Sequence, residues 1–260
     1  MSVNARAGQR KTRPPFKQRP LRLPGQSLAE RIDAVLMDKL LLWIFMPTFM
    51  VVVAAIEWVG WAFSVNRRPV TCTVAAVGMA LVSIYKIRPV LRELRLLRQG
   101  LDGEKIVGQA LDQLRADGYL VVHDLVQDGY NIDHVLVGPT GVYAIETKTI
   151  SKPADHDARV VYNGDRVLVA GSEPDRDPLK QAMAAADRVS EIIEERTGHK
   201  VKVRPVVVYP GWFIQRKCPS PQVWVVNEKY LPGWLDHEPV RLDPAHIRLY
   251  ATALESSARC

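Results

Sequence analysis

The sequence predicts an α/β protein with an N-terminal two-helix transmembrane hairpin, followed by a domain in which a central mixed sheet is flanked by helices. Three observations carry this. Two runs of 17 uncharged residues, Leu40–Ile56 and Pro69–Tyr85, lie close together in the first hundred residues. Beyond residue 100, segments with helical periodicity alternate with short β-branched runs. Charge divides at the same place: residues 1–99 hold 16 Lys/Arg against 5 Asp/Glu, a net +11, and the remainder is net −4. That division excludes a uniformly basic, nucleic-acid-coating chain. The three cysteines, Cys72, Cys218 and Cys260, are far apart with no C-x-x-C pair. A disulfide scaffold and a Cys-rich zinc module are therefore excluded, and a reducing compartment fits.

Residues 1–39 read as a basic, largely disordered cytoplasmic arm, because Arg, Lys, Pro and Gln dominate its first part and leave little to bury. Residues 40–87 form the predicted transmembrane hairpin, each run being near the roughly 20 residues that cross a bilayer core. Asn66-Arg67-Arg68-Pro69 leaves room for a tight loop alone. Nine Lys/Arg precede Leu40, and Lys86, Arg88, Arg92, Arg95 and Arg98 follow the second run, whereas the loop carries two. By the positive-inside rule both termini face the cytoplasm of a multi-pass protein in the cell (inner) membrane. A buried core hairpin of a soluble protein is the competing reading. A cleaved signal peptide is excluded by the 39 residues ahead of the first run and by the second run. Glu57 falls beside Trp58 and Trp61, about 25 Å along the first helix. It is read as interfacial, with a functional intramembrane carboxylate as the alternative.

Residues 88–99 read as a basic juxtamembrane linker, and residues 100–215 as the domain. Asp102 can cap a helix from Gly103 to about Ala116, with Val107, Ala110, Leu111 and Leu114 on one face and Gly118 ending it. Strands are predicted at Tyr119–Val126, Ile132–Val137, Val142–Thr149, Val160–Asn163 and Val167–Ala170. Gly138-Pro139-Thr140-Gly141 turns the second into the third. Asp177-Pro178 opens a helix that runs to about Arg196 and stops at Gly198. Val203–Tyr209 and Gln222–Val226 are further strands, and Pro244–Leu254 is a closing helix within a C-terminal extension, residues 216–260.

The chemistry-bearing residues sit on two neighbouring strands. Alternation puts Asp133 on the face of Val135 and Val137, and Glu146 and Lys148 on the face of Val142 and Ala144. Two carboxylates and a lysine thus continue apolar faces, where unpaired charge is costly. Asp133 and Glu146 can both offer oxygens to one divalent ion, and Mg²⁺ suits such hard ligands. Lys148 would then reach a metal-bound water or a phosphoryl oxygen. A same-face ion pair on a strand is the plainer account of Glu146-x-Lys148.

Gly103-Glu104, the run Ile132–Pro139, the run Gly141–Thr149 and Pro178-Leu179-Lys180-Gln181 resemble successive motifs of the nuclease-related domain family, of the PD-(D/E)xK nuclease-like superfamily. The resemblance covers about residues 100–215. It implies a restriction-endonuclease-like αβββαβ core, with Glu104, Asp133, Glu146, Lys148 and Gln181 as catalytic positions. Among these, Asp133 and Glu146 are implied metal ligands for Mg²⁺ (or Mn²⁺), and Lys148 the catalytic lysine. Glu104 and Gln181 also suit first helical turns, where neither needs a catalytic reason. His134 alternates away from Asp133 and reads as packed; Asp155 and Asp157 read as solvated.

The function that follows is a membrane-anchored, metal-dependent hydrolase of nucleic-acid phosphodiesters at the cytoplasmic face, with DNA ahead of RNA as partner. The alternative is an inactive interaction or nucleic-acid-binding module in a membrane-associated assembly. Membrane lipids are partners through the two helices and the basic arm. Phosphate contacts are offered by Lys200, Lys202, Arg204, Arg216 and Lys217. No G-x-x-x-x-G-K-[ST], G-x-G-x-x-G, H-E-x-x-H or G-x-S-x-G motif is present. Trp224, Tyr230 and Trp234 read as core residues rather than a base-stacking platform.

Overall fold

A computed structural model describes residues 20–63, 68–127, 129–153, 158–219 and 221–258. Residues 1–19, the loop residues Asn66 and Arg67, and Asp155 and Asp157 lie outside these. Helix α1 (Gln26–Val35) runs through a π-helical turn (Leu36–Leu40) into α2 (Leu41–Ala62). Helix α3 (Pro69–Gln113) returns antiparallel to α2, with proline at its first position. Trp58 Nε1 donates to Thr73 Oγ1 at 2.9 Å near the turn, and Lys39 pairs with Glu93 at 2.9 Å at the other end. Both helices are long and apolar enough to cross a membrane, and only 6 % and 11 % of their most apolar stretches are buried. That exposure does not match a hairpin buried in a core. Glu57 lies by the turn, where its Oε2 accepts the Arg68 backbone N–H at 3.2 Å.

Two sequence expectations change here. Residues 88–99 are not a linker and Asp102 caps nothing, because α3 is one helix of 45 residues, about 67 Å long. Its apolar stripe continues through Val90, Leu94, Val107 and Leu111, so tertiary packing overrides the local cap signal. Gly103 is instead a contact glycine: a Cβ there would stand 1.7 Å from Thr149 Oγ1. The arm, expected to be largely disordered to residue 39, is helical from Gln26 onward. Ile32 and Val35 pack on Val90 and Leu94. Ahead of α1, Arg22 and Ser27 bind the fully buried Asp124.

A 3₁₀ turn (Leu114–Asp117) and Gly118, at φ +84°, lead from α3 into the sheet. Its strands are β1 (Leu120–Gln127), β2 (Tyr130–Gly138), β3 (Gly141–Thr147), β6 (Val203–Val208) and β8 (Trp224–Val226). They lie in that order, antiparallel from β1 to β3 and parallel from β3 to β8. The mixed sheet is therefore as expected. β4 (Arg159–Tyr162), β5 (Val167–Val169) and β7 (Phe213–Arg216) leave it for a second, three-stranded sheet. Val160 and Tyr162 pack there with Tyr209, Trp212 and Val223.

Helix α4 (Pro178–Thr197) makes the crossover from the second sheet back to β6. Asp177 Oδ1 accepts the Leu179 and Lys180 amides at 3.0 and 3.3 Å, and Gly198 closes the helix in the left-handed region. α4 and α6 (Pro244–Ala258) cover one face of the main sheet through Val189, Ile192, Tyr250 and Leu254. The end of α3 and α5 (Leu231–Asp236) cover the other through Val107, Leu111, Leu231 and Leu235. Trp224 is buried and Trp234 packs beside it, as read, whereas Tyr230 is exposed.

Candidate functional site

The β2–β3 ladder ends at His134 opposite Ile145, so one further step sets Asp133 opposite Glu146. The Thr147 amide donates to Asp133 Oδ2 at 2.7 Å. The Lys148 amide donates to Val208 O at 2.9 Å, which ties the end of β3 to β6. Backbone geometry thus fixes both carboxylates before any side-chain contact is counted. Lys148 Nζ then donates to Glu146 Oε1 at 2.6 Å. From α3, Glu104 is buried against the same group, and its Oε2 has no hydrogen-bond partner. The chain ahead of α1 covers it: a Cβ at Gly25 would stand 3.5 Å from Glu104 Oε2.

Electrostatics show how close these groups are. Burial first, then the charges of Asp124 and Glu146, push the Glu104 carboxyl up to about 7, with Lys148 opposing. Asp133 is likewise held well above the ordinary carboxylate range by burial, then by Glu146 and Glu104, against the Thr147 N–H and Lys148. Glu146 and Lys148 thus act electrostatically on both Glu104 and Asp133. Gln181 is not bonded to them. It sits in the first turn of α4, with its Oε1 buried and unpartnered.

Two groups escaped the sequence reading. The Tyr209 hydroxyl, just past β6, is buried without a partner, and its pKa is raised by burial and then by Asp177 and Glu146. Thr149 Oγ1 is also buried and unpartnered. Their one sequence signal was position, each being the last residue of a predicted strand. His134 behaves as expected of a packed residue. Its Nδ1 lies 3.0 Å from His123 Nδ1, and burial pushes it down to about 3, so it stays neutral.

Among the described residues, no three His, Cys, Asp or Glu side chains are arranged to hold a metal. A cation here would rest on two carboxylates, Asp133 and Glu146, and on water. Mg²⁺ accepts that number of protein ligands. The all-oxygen donor set fits a cation, as does the carboxylate repulsion that adds to burial in raising Asp133. The raised Glu104 pKa also predicts a pH dependence. The folded form keeps its proton up to about pH 7, while the unfolded carboxyl releases it near 4.5. The folded state then binds more protons across that window, so the stabilisation is full below about pH 4.5 and is lost as pH rises through 7. The expected loss is up to about 3 kcal/mol. Thermal unfolding of the detergent-solubilised protein at pH 5 and pH 7.5, beside Glu104→Gln, checks this. The variant should flatten the slope, and an equal slope in both proteins would refute it.

The fold is an α/β domain with a carboxylate and lysine group at the end of its central ladder. Residues 99–210 match the family model described as nuclease-related domain, consistent with a nuclease-related domain of the PD-(D/E)xK-like superfamily. The match runs from the C-terminal part of α3 to just past β6. No curated protein and no solved structure matches the chain.

Proposed function

We propose that this protein is a membrane-anchored, Mg²⁺-dependent nuclease that hydrolyses nucleic-acid phosphodiesters at the cytoplasmic face. One observation carries the chemistry: Asp133 and Glu146 oppose each other at the end of an apolar ladder with Lys148 on Glu146. Asp133 and Glu146 would hold the Mg²⁺, which supplies Lewis acidity toward a phosphoryl oxygen. Lys148 holds its ammonium where it offsets charge building on phosphorus. A water oxygen bonds to phosphorus, one ester P–O bond breaks, and the leaving oxygen takes up a proton. Glu104 would accept the proton that the water gives up. Gln181, one turn into α4, is assigned to positioning of substrate or water, and DNA is favoured over RNA.

Membrane anchoring rests on the hairpin. The uncharged runs Leu40–Ile56 and Pro69–Tyr85 each rise about 25 Å as helix, near the thickness of a hydrocarbon core, with Lys39 and Lys86 at their common end. The test uses the full-length protein in detergent beside Asp133→Ala. Labelled single- and double-stranded DNA and RNA are supplied with Mg²⁺, Mn²⁺ or chelator. Metal-requiring cleavage that disappears in the variant is expected. Absence of cleavage, with no thermal stabilisation by metal, would instead establish an inactive interaction module.

A further inference from the structure

We propose that Tyr209 is a positioning residue of the candidate metal site, its phenol hydroxyl donating a hydrogen bond to Glu146 when that carboxylate holds the cation. The proposal rests on the metal-site reading of Asp133 and Glu146, and adds to it a residue outside the motifs read in the sequence.

Strand register carries the placement. The parallel pairing of β3 with β6 sets Glu146 beside Val207 and Thr147 beside Val208. The Lys148 amide then donates to Val208 O at 2.9 Å, the bond that a parallel ladder makes when Lys148 stands beside Tyr209. On the other flank the Tyr209 amide donates to Val226 O at 2.9 Å, so β8 holds this residue as well. Alternation gives Glu146, Lys148, Val207 and Tyr209 one face of the sheet. Val207 and Tyr209 pack there with Leu179 and Ala182 of α4.

The hydroxyl needs a partner that packing does not supply. The side chain is fully buried, and its oxygen has no hydrogen-bond partner. A buried hydroxyl in that state is costly, and phenylalanine would fill the same space without the cost. Two acids act on it, Asp177 and Glu146. Asp177 is already committed: its Oδ1 accepts the Leu179 and Lys180 amides that open α4, its Oδ2 faces Lys180 at 3.7 Å, and its side chain is exposed. Glu146 is bonded through Oε1 to Lys148, which leaves Oε2 for the phenol. A cation on Asp133 and Glu146 competes with Lys148 for that carboxylate. Carboxylates that ligate a metal are themselves hydrogen-bonded, and the bond fixes their orientation. Tyr209 supplies such a donor from the neighbouring strand, on the same face.

The test uses the full-length protein in detergent, stripped of metal by chelator and titrated with Mn²⁺ by calorimetry. In Tyr209→Phe, Mn²⁺ should bind about 10-fold more weakly. The metal-free melting temperature should be unchanged or higher, because the hydroxyl gives up no bond there. A merely structural tyrosine would give the reverse, a lower metal-free melting temperature with Mn²⁺ affinity intact, and that result overturns the proposal. Asp177→Asn keeps a side-chain oxygen for the α4 amides and should leave Mn²⁺ affinity unchanged. A loss there equal to that of Tyr209→Phe would assign the hydroxyl to the helix cap and overturn the proposal too. Asp133→Ala tells failure of the metal site from failure of Tyr209. Wild-type protein that binds no Mn²⁺, or that binds it no better than Asp133→Ala does, refutes the metal site and the role of Tyr209 with it. Binding that is lost in Asp133→Ala but kept in full in Tyr209→Phe refutes the role of Tyr209 alone.

Discussion

Replacing Lys148 with alanine in the full-length protein is expected to lower metal-dependent cleavage by about 10²–10⁴-fold while the stabilisation by Mg²⁺ persists. The two readouts separate because the lysine's side chain and backbone do different work. Its amide bonds Val208 O, a contact that alanine keeps, so β3 and β6 stay joined. Its ammonium lies 2.6 Å from Glu146 Oε1, so truncation leaves that carboxylate free to bind a cation. Cleavage is lost without loss of the metal site. Lys148→Arg keeps the charge but not the compact ammonium, and should restore little of the rate. A merely structural ion pair would give the opposite pattern, with a lower melting temperature and unchanged turnover. Unchanged turnover in Lys148→Ala would remove lysine from the mechanism.

The carboxylates were legible because strand periodicity is local. A two-residue repeat either side of a Gly-bounded turn is enough to put Asp133 and Glu146 on neighbouring strands with their apolar faces. Glu104 was legible through the motif Gly103-Glu104, but for a reason that sequence alone could not supply. Asp102-Gly103 carries the local signature of a helix start, and that signature misleads. The glycine is there because Thr149, 46 residues later, packs against the helix at that point. The arm was read as disordered because composition counts charge. It does not reveal that Ile32 and Val35 find Val90 and Leu94 across the hairpin. The runs that became β4 and β5 were visible, but their departure into a second sheet was not. It depends on β7, whose residues Phe213–Arg216 carry no clear strand pattern, and on parallel pairing across more than fifty residues. Tyr209 and Thr149 became visible only when three elements converged. What the sequence hid was in each case a long-range contact.

Asp124→Ala is expected to cost about 3–5 kcal/mol, a fall of about 6–20 °C in melting temperature. Asp124 is fully buried and its backbone sits at φ +51°, in the left-handed region. One carboxylate oxygen accepts Ser27 Oγ and Asn131 Nδ2, the latter at 2.9 Å. The other accepts the Ser27 amide at 3.0 Å and Arg22 Nε. These bonds fasten the segment ahead of α1 to the sheet. Alanine would leave donors from three residues without their acceptor and would place a Cβ residue with no compensating local bond in the left-handed region. Asp124→Asn tolerates that backbone but loses the charge that holds Arg22, so its loss should be intermediate. Arg22→Ala keeps the bonds from Ser27 and Asn131 but leaves the buried carboxylate without its cation, so it too should lower the melting temperature. Limited proteolysis gives the second measure. Release of the latch should speed cleavage after Arg22 and Arg31, and because the chain at Gly25 covers Glu104, it should also weaken the pH dependence of stability. An unchanged melting temperature in Asp124→Ala would show that the N-terminal segment is held by the Ile32 and Val35 contacts alone.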